Sequence, residues 1–316
     1  MDFTTELRGA TPPLVTPFSG PDADTIDHAA LADVVTHAVE GGAVGLFPNG
    51  TTGECASLTA AERAAVVETT VANADGRPVL AGVSDTALGD VSDHAERAAD
   101  AGADAVVVTP PYYHAESGEG GNRAFLERVA DASRLPVFLY DIPSCTGNPL
   151  STETAVALAD HPNVVGYKDS SGDLTGFLRL LRETPAEFVT LQGFDSLFLP
   201  SLLAGATGGV HALSNVIPDA FAELSRIVDD DPGAAVGGPA SRTSAVGDLG
   251  ARATELHEAI GSLFDSCAAH GFAPATKAAL AVRGVIDSTA VRPPLSACAP
   301  DELRSGTTEA LSLLSD

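Results

Sequence analysis

Short apolar runs alternate with longer amphipathic stretches along most of the chain. The apolar runs are rich in valine, leucine and alanine, as is typical of strands buried on both faces of a parallel sheet. The stretches between them carry apolar residues at helical spacing. Strands are predicted at 9–18, 42–47, 78–83, 105–109, 136–140, 164–168, 188–192 and 208–212. Helices are predicted at 26–40, 60–74, 88–101, 122–132, 151–159, 174–182, 197–204 and 218–228.

Eight strand–helix units predict an α/β fold of the TIM (β/α)8 barrel type. A doubly wound open sheet is the alternative, but no Gly-x-Gly-x-x-Gly follows the first strand, so a dinucleotide-binding fold has little support. The barrel domain is predicted over residues 1–230. Residues 231–316 are predicted to form a C-terminal helical extension packed on the barrel, without a function of its own. Its helices are predicted at 251–268, 274–283 and 300–314, after a polar stretch that is either a loop or a weak helix.

The charge balance excludes one class of partner. The 316 residues include 43 acidic and 17 basic side chains, for a net charge of −26. Such a surface repels phosphate backbones, so we expect no nucleic-acid partner. Few lysines, many acidic residues and no tryptophan favour adaptation to high salt, which screens repulsion between surface carboxylates. No signal-like amino terminus and no apolar run of about 18 residues occur, which predicts a cytoplasmic protein without a membrane partner.

The carboxyl ends of the predicted strands carry the candidate chemistry, because a barrel gathers these ends at one mouth. One of only two lysines, Lys168, ends the strand at 164–168. It can simply extend to solvent, as lysines at strand ends do. Burial at the mouth would instead favour its neutral amine and make it a nucleophile toward a carbonyl. The resulting Schiff base withdraws electrons, so that a C–C bond can be made or broken without another cofactor.

Neighbouring strand ends offer partners for this amine. Tyr140 ends the strand at 136–140 and can move protons, although a buried tyrosine is often ordinary core. The turn 50–54 carries two threonine hydroxyls and backbone N–H groups that can hold a carboxylate. An ordinary turn before a capped helix is the simpler interpretation, and both can hold together. Within this turn, Glu54 is interpreted as a loop anchor rather than a catalytic group.

The remaining candidates carry weaker signals. His114 and His211 lie near the predicted mouth and are candidates for contacts with substrate hydroxyls. Lys277, in the helical extension, is predicted to be structural. The four cysteines lie far apart without zinc-like spacing, so we expect free thiols and no metal site.

Several ordered motifs resemble the dihydrodipicolinate synthase/N-acetylneuraminate lyase family. They read Gly-Thr-Thr-Gly-Glu at 50–54, Pro-Tyr-Tyr at 111–113, Tyr-Asp-Ile-Pro at 140–143 and Gly-Tyr-Lys-Asp-Ser-Ser-Gly-Asp at 166–173. The resemblance runs from about Gly9 to the C-terminal helices. It implies a pyruvate-dependent class I aldolase or lyase on a TIM barrel, usually a homotetramer, whose partners are pyruvate and an aldehyde or keto-deoxy acid.

The resemblance also implies roles for individual residues. Lys168 would form the Schiff base with pyruvate, and Tyr140 would relay protons. Thr51 and Thr52 would bind the pyruvate carboxylate, with Thr52 also in the proton relay. Tyr113 matches a tyrosine that reaches into the neighbouring subunit's site. Two positions match the lining of the pyruvate site, namely Gly193 and Val210.

Cys145 departs from the synthase pattern. In the synthases an arginine at this position anchors the carboxylate of the second substrate, and a thiol cannot make that bidentate contact. The neuraminate lyases usually carry Gly-Ser-Thr-Gly-Glu at 50–54, so sialic acid is not favoured. The sequence therefore predicts cleavage of a 2-keto-3-deoxy sugar acid, of gluconate or pentonate type and phosphorylated or not, with Cys145 at the substrate. The alternatives are 4-hydroxy-tetrahydrodipicolinate synthase, a keto-deoxy sugar-acid dehydratase and a non-catalytic family member.

Overall fold

Six parallel strands form the continuous part of the sheet in a computed structural model, which describes residues 1–20, 22–114, 116–230 and 250–314. Each strand pairs with the next one along the chain. They span Leu80–Gly82, Ala105–Val108, Val137–Asp141, Val164–Asp169, Val189–Gln192 and Gly208–Gly209. This order, with a helix between successive strands, is the arrangement that the alternating pattern predicts.

Two extended segments close this sheet into a barrel. Single parallel bridges join Ala10 to Gly209, Pro13 to Phe47 and Leu46 to Val79. The segment at Ala10–Pro13 therefore lies between the last strand and the segment at Leu46–Phe47. The structure is a TIM barrel, as predicted, with two of its eight strand positions held by isolated bridges.

The first predicted strand, at 9–18, is not continuous. It contains three prolines, which cannot donate to a strand ladder, and this limits the segment to single bridges. Its last residue pairs elsewhere, because Phe18–Ser19 and Thr25–Ile26 form a short antiparallel hairpin. The following helix consequently begins at His28 and not at residue 26.

Helices follow the strand positions around the barrel. They span His28–Glu40, Ala60–Asn73, Leu88–Asp100, Gly118–Ala132, Thr152–Leu158, Leu174–Glu183, Phe198–Leu203 and Pro218–Asp230. Shorter elements are α-helices at Phe3–Glu6 and Pro143–Thr146 and 3-10 turns at Cys55–Ser57, Asp195–Leu197 and Ala212–Asn215. Most predicted bounds differ from these by one to three residues, which is the usual uncertainty at helix ends.

Strand side chains alternate between two apolar layers. In Val137–Asp141, Phe138 and Tyr140 point into the barrel interior, while Leu139 packs in the outer layer with the helices. The short amino-terminal helix contributes to the interior, because the Phe3 ring meets Phe138 edge to face at 5.4 Å. The sequence did not indicate this plug, since a four-residue helix has no periodic signal.

Three helices follow the barrel, at Ala251–Ala268, Phe272–Arg283 and Pro300–Leu313. Their buried apolar side chains belong to the same core as the barrel helices. The boundary at 230/231 and the polar stretch after it fall on residues 231–249, outside the described residues, so they stay predictions. Across the described ranges, no helix combines the length and the apolar character that crossing a membrane requires.

Candidate active site

Lys168 and Tyr140 occupy matched positions on adjacent parallel strands. Both are buried, and the Lys168 Nζ lies 3.9 Å from the centre of the Tyr140 ring and 4.9 Å from that of Phe47. Two residues before the lysine, Gly166 leaves room for the Phe138 ring, which would lie 2.5 Å from any added Cβ. The interior is therefore filled beneath the amine, which sits at the mouth end of its strand.

Burial lowers the pKa of the Lys168 amine to about 7, against a partial opposing effect of the Asp195 carboxylate. An ordinary lysine has a free amine in only about one molecule in 2,500 at neutral pH. With a pKa of about 7, a large fraction of Lys168 is unprotonated there. The neutral amine is the form that Schiff-base chemistry requires.

The Tyr140 hydroxyl lies between the side chains of Ser170 and Thr51. Burial raises the pKa of Tyr140 above its ordinary range, and hydrogen bonds with these two hydroxyls oppose the rise only in part. The phenol is consequently protonated at neutral pH. It can pass a proton to a substrate and recover one through Thr51, as a relay needs.

A cavity of about 640 Å³ opens beside the amine. Among the residues predicted from the sequence, its lining includes Lys168, Tyr140, Thr51, Thr52, Cys145, Gly193 and Val210. A neighbouring cavity of about 260 Å³ shares Thr51, Tyr140 and Cys145 with the first. The fold therefore brings seven of the eight predicted site residues to one place.

Tyr113 is the exception. Its side chain is 89% exposed, and its backbone lies in the left-handed region with φ 74°. The tyrosine before it behaves differently, since the Tyr112 hydroxyl donates to Asp85 at 3.2 Å and its side chain lines the smaller cavity. Tyr113 does not line either cavity of its own chain.

Asp195 belongs to the site but was missed in the sequence. It is buried beside the larger cavity and accepts the Leu213 N–H at 2.8 Å. Burial raises the pKa of this carboxyl to about 7, while hydrogen bonds and Lys168 lower it. The residue follows the strand Val189–Gln192, so an inspection of every strand end would have found it.

The two histidine candidates lie outside the cavity lining. His114 is exposed and contacts the Tyr113 ring edge to face at 6.0 Å. The His211 ring is fully buried between Phe198 and Phe221, at 4.5 and 5.1 Å between ring centres. Burial holds the pKa of His211 well below its ordinary value, so its ring is neutral. Neither histidine is placed to contact a substrate hydroxyl in this cavity.

The C-terminal helices contribute directly to the cavity. Phe264, His270 and Phe272 line it opposite the strand ends. The extension therefore supplies one wall of the cavity. Phe264 and Phe272 lie in these alanine-rich helices and His270 lies between them. The sequence did not indicate that the three side chains come together in the folded chain.

The lining of both cavities lacks arginine among the described residues. Two arginines of the barrel helices are engaged in ion pairs on the surface. Arg123 pairs with Glu127, and Arg179 pairs with Glu153 and Glu183. Cys145, which is exposed at the cavity, occupies the place that an arginine takes in the synthase pattern.

Comparison with known proteins supports a single family. The model of the dihydrodipicolinate synthetase family matches residues 6–236. A 4-hydroxy-tetrahydrodipicolinate synthase of Natronomonas pharaonis is 36% identical over 296 residues, covering 93% of this chain and 94% of the relative. An uncharacterized DapA-like lyase of Halobacterium salinarum is 41% identical over 226 residues, covering 71% and 73%.

Solved structures agree over the whole length. YagE, a prophage protein of the dihydrodipicolinic acid synthase family from E. coli K12, was solved in complex with pyruvate. It is 28% identical, covers 97% of this chain and 98% of its own, and superposes with a TM-score of 0.84. Together with the family match over most of the barrel, this means that the chain belongs to the dihydrodipicolinate synthetase family of pyruvate-dependent carbon–carbon lyases.

Proposed function

We propose that this chain binds pyruvate as a Schiff base on Lys168. The observation that carries the proposal is a buried amine with a pKa of about 7, beside Tyr140 in the lining of a cavity. The hydroxyls of Thr51 and Thr52 line the same cavity and are available for the pyruvate carboxylate. The relative solved with pyruvate lends further support.

In this mechanism the neutral Lys168 amine attacks the keto carbon of pyruvate. The resulting carbinolamine loses water as Tyr140 donates a proton to the departing hydroxyl, which leaves a protonated imine. The Tyr140 phenolate then takes a proton from the pyruvate methyl group, which gives an enamine. The enamine carbon attacks an aldehyde, and the alkoxide that forms takes a proton from Tyr140. The reverse sequence cleaves the same bond. Tyr140 recovers its proton through Thr51, with Thr52 beside it.

For the second substrate, we propose aspartate semialdehyde, and therefore 4-hydroxy-tetrahydrodipicolinate synthase activity. The names of the relatives favour this activity over cleavage of a sugar acid, which reverses the order of preference that the sequence suggested. Natronomonas and Halobacterium relatives also accord with the predicted adaptation to high salt.

Cleavage of a 2-keto-3-deoxy sugar acid is the second candidate, and one specific observation favours it. Cys145 and the absence of arginine from the described cavity lining leave no guanidinium for the carboxylate of the semialdehyde. The buried Asp195 is a hydrogen-bonding group that suits sugar hydroxyls. Binding of a phosphorylated sugar acid is less favoured, because the described lining has no arginine to bind the phosphate.

We further propose a homotetramer in which Tyr113 enters the neighbouring subunit's site. An exposed aromatic side chain on a left-handed backbone is costly for an isolated chain, and packing against a second copy would compensate for it. Sedimentation velocity in high KCl tests the assembly, and a purely monomeric species would contradict it. A Tyr113→Phe variant should keep the assembly and lose activity if the hydroxyl acts across the interface.

Borohydride trapping tests the Schiff base. The chain is incubated with pyruvate and sodium borohydride, digested, and analysed by mass spectrometry. We expect one reduced pyruvyl adduct, on Lys168. The only other lysine, Lys277, is fully buried in an ion pair and serves as the internal control. An unmodified Lys168 peptide would refute the mechanism.

Paired assays then decide the second substrate. One assay follows pyruvate consumption with aspartate semialdehyde, and the other follows pyruvate release from keto-deoxy gluconate and keto-deoxy pentonate. The synthase proposal expects the first assay to give the higher kcat/KM. It also expects Cys145→Arg to lower the KM for the semialdehyde, because a guanidinium can bind its carboxylate. Faster turnover of the sugar acids would establish the second candidate, with the trapping experiment unaffected.

A further inference from the structure

Three side chains of different chemistry meet in the C-terminal helices. His270 lies between the first two of these helices, Cys298 precedes the helix Pro300–Leu313, and Glu302 lies in its first turn. The Cys298 Sγ is 3.3 Å from Glu302 Oε2, and His270 Nδ1 is 3.8 Å from the same oxygen. The three potential ligand atoms all lie within 4.8 Å of one another.

We propose that His270, Cys298 and Glu302 bind a transition-metal ion of the zinc class. Tetrahedral zinc has bonds of about 2.0–2.3 Å to such ligands, which places neighbouring ligand atoms about 3.3–3.8 Å apart. The two separations given above fall within this range. Imidazole and thiolate suit zinc-class ions, whereas magnesium and calcium prefer oxygen ligands alone. The sequence could not show this set, because folding brings together ligands from two separate segments.

The charges of the set suit a divalent cation. On binding, the Cys298 thiol loses its proton, so thiolate and carboxylate together carry two negative charges. This charge is needed here, because the amino terminus of Pro300–Leu313 disfavours a cation by itself. The simpler interpretation is a helix cap, since Glu302 also accepts the Ala299 N–H at 3.1 Å. The Ala299 N–H binds the same Oε2 that lies near Cys298 and His270, so a bound ion would have to share this oxygen with the cap or use Oε1.

Metal binding at this site would affect one wall of the cavity. His270 lines that cavity together with Phe264 and Phe272, whereas Glu302 belongs to the last helix and Cys298 lies just before it. A bound ion would therefore tie the turn that carries His270 to the helix Pro300–Leu313. The proposal does not depend on which substrate the cavity accepts.

Zinc titration of the whole chain tests the proposal. The titration uses a chromophoric chelator as competitor, in high KCl with millimolar Mg²⁺, so that the many surface carboxylates are occupied or screened. We expect one zinc per chain. Loss of a direct ligand in His270→Asn or Cys298→Ser should weaken binding by more than the about 10- to 100-fold that loss of an outer partner costs. His161→Asn and Cys267→Ser are matched controls outside the cluster, and both should bind zinc like the wild type.

Cobalt supplies a second readout. Co²⁺ in place of zinc should show a thiolate-to-cobalt charge-transfer band that Cys298→Ser lacks. If burial of Cys298 makes that variant fold poorly, the test rests on zinc affinity in His270→Asn and Glu302→Gln, which change exposed residues. Zinc affinity that is equal in these variants and in the controls would overturn the proposal, as would the absence of a charge-transfer band in the wild type.

Discussion

The chain has two lysines, both buried and both close to aromatic rings, and the molecule uses them in opposite ways. The Lys277 amine binds the Glu54 carboxylate, donates to the Ala290 carbonyl at 2.8 Å, and lies 4.2 Å from the Phe18 ring centre. The Lys168 amine faces a cavity, and the carboxyl that acts on it, Asp195, is itself held partly protonated by burial.

The difference shows that a partner, and not burial alone, decides what a buried lysine does. Burial lowers the pKa of Lys277, and the attraction and hydrogen bond of the Glu54 carboxylate oppose this effect. The pair also has a location that matters for the site, since Glu54 ends the turn that carries Thr51 and Thr52. The Arg292 backbone N–H donates to Glu54 at 3.0 Å, and the Arg292 side chain binds Glu62. The C-terminal segment thus anchors the turn proposed to bind pyruvate.

Replacing each lysine by methionine should separate the two roles most strongly. Lys168→Met removes the nucleophile, so we expect activity to fall by at least about 10⁴-fold.

The same substitution should raise the free energy of unfolding. Between pH 7 and 10.5 the unfolded lysine holds a proton that the folded one releases, so wild-type stability rises with pH in that window. Lys168→Met removes this penalty and should be more stable, on the order of a few kcal/mol, below pH 7.

Urea unfolding at pH 7 and pH 10 measures this stability difference. The advantage of Lys168→Met over the wild type should shrink at pH 10, where the wild-type penalty is nearly gone. An equal advantage at both pH values would mean that the Lys168 pKa is not depressed in the folded protein.

Lys277→Met should destabilise the fold by about 3–5 kcal/mol, because it leaves the Glu54 carboxylate buried without its partner. The double variant Glu54→Gln/Lys277→Met should recover part of this loss. Arg134→Ala, which breaks an exposed pair with Asp100, is a control that should change stability by under about 1 kcal/mol. Additive losses in the double variant, measured by urea unfolding, would show that Lys277 and Glu54 are not coupled.

The contrast between the lysines also marks what the sequence could predict. The strand pattern located Lys168 and Tyr140 at neighbouring strand ends, and register then placed them opposite each other. Glu54 was interpreted as a loop anchor, and the structure confirms this interpretation. Its partner could not be identified from local pattern, because Lys277 lies in a separate helix and only tertiary packing joins them. Phe264 and His270 could not be identified for the same reason. Asp195, in contrast, follows the end of a predicted strand, so the strand pattern could have indicated it.

Tyr140→Phe should lower kcat by about 10²- to 10⁴-fold, the range typical of a lost proton-transfer group. Borohydride should still trap pyruvate on Lys168, more slowly, because the nucleophile and the cavity are unchanged. This outcome would mean that Tyr140 acts on a step that follows deprotonation of the amine. It would also distinguish a role in proton relay from a role in packing. A Tyr140→Phe enzyme with wild-type kcat would remove the tyrosine from the mechanism.

Asp195→Asn should have the smallest effect, and it tests how the Asp195 carboxylate affects the pKa of Lys168. The Asp195 carboxylate raises the pKa of the lysine, so an amide should lower that pKa and move the acid limb of pyruvate trapping to lower pH. Trapping at pH 6 should become faster, by less than about tenfold, since one pKa unit is a factor of ten in the neutral amine. Asp141→Asn is the matched control, because Asp141 is also a buried carboxyl at a strand end with its pKa raised to about 7, yet does not act on Lys168. If both variants shift the acid limb equally, the cause is a general loss of negative charge. Asp195 would then have no specific effect on the pKa of Lys168, and the comparison with Glu54 and Lys277 would fail.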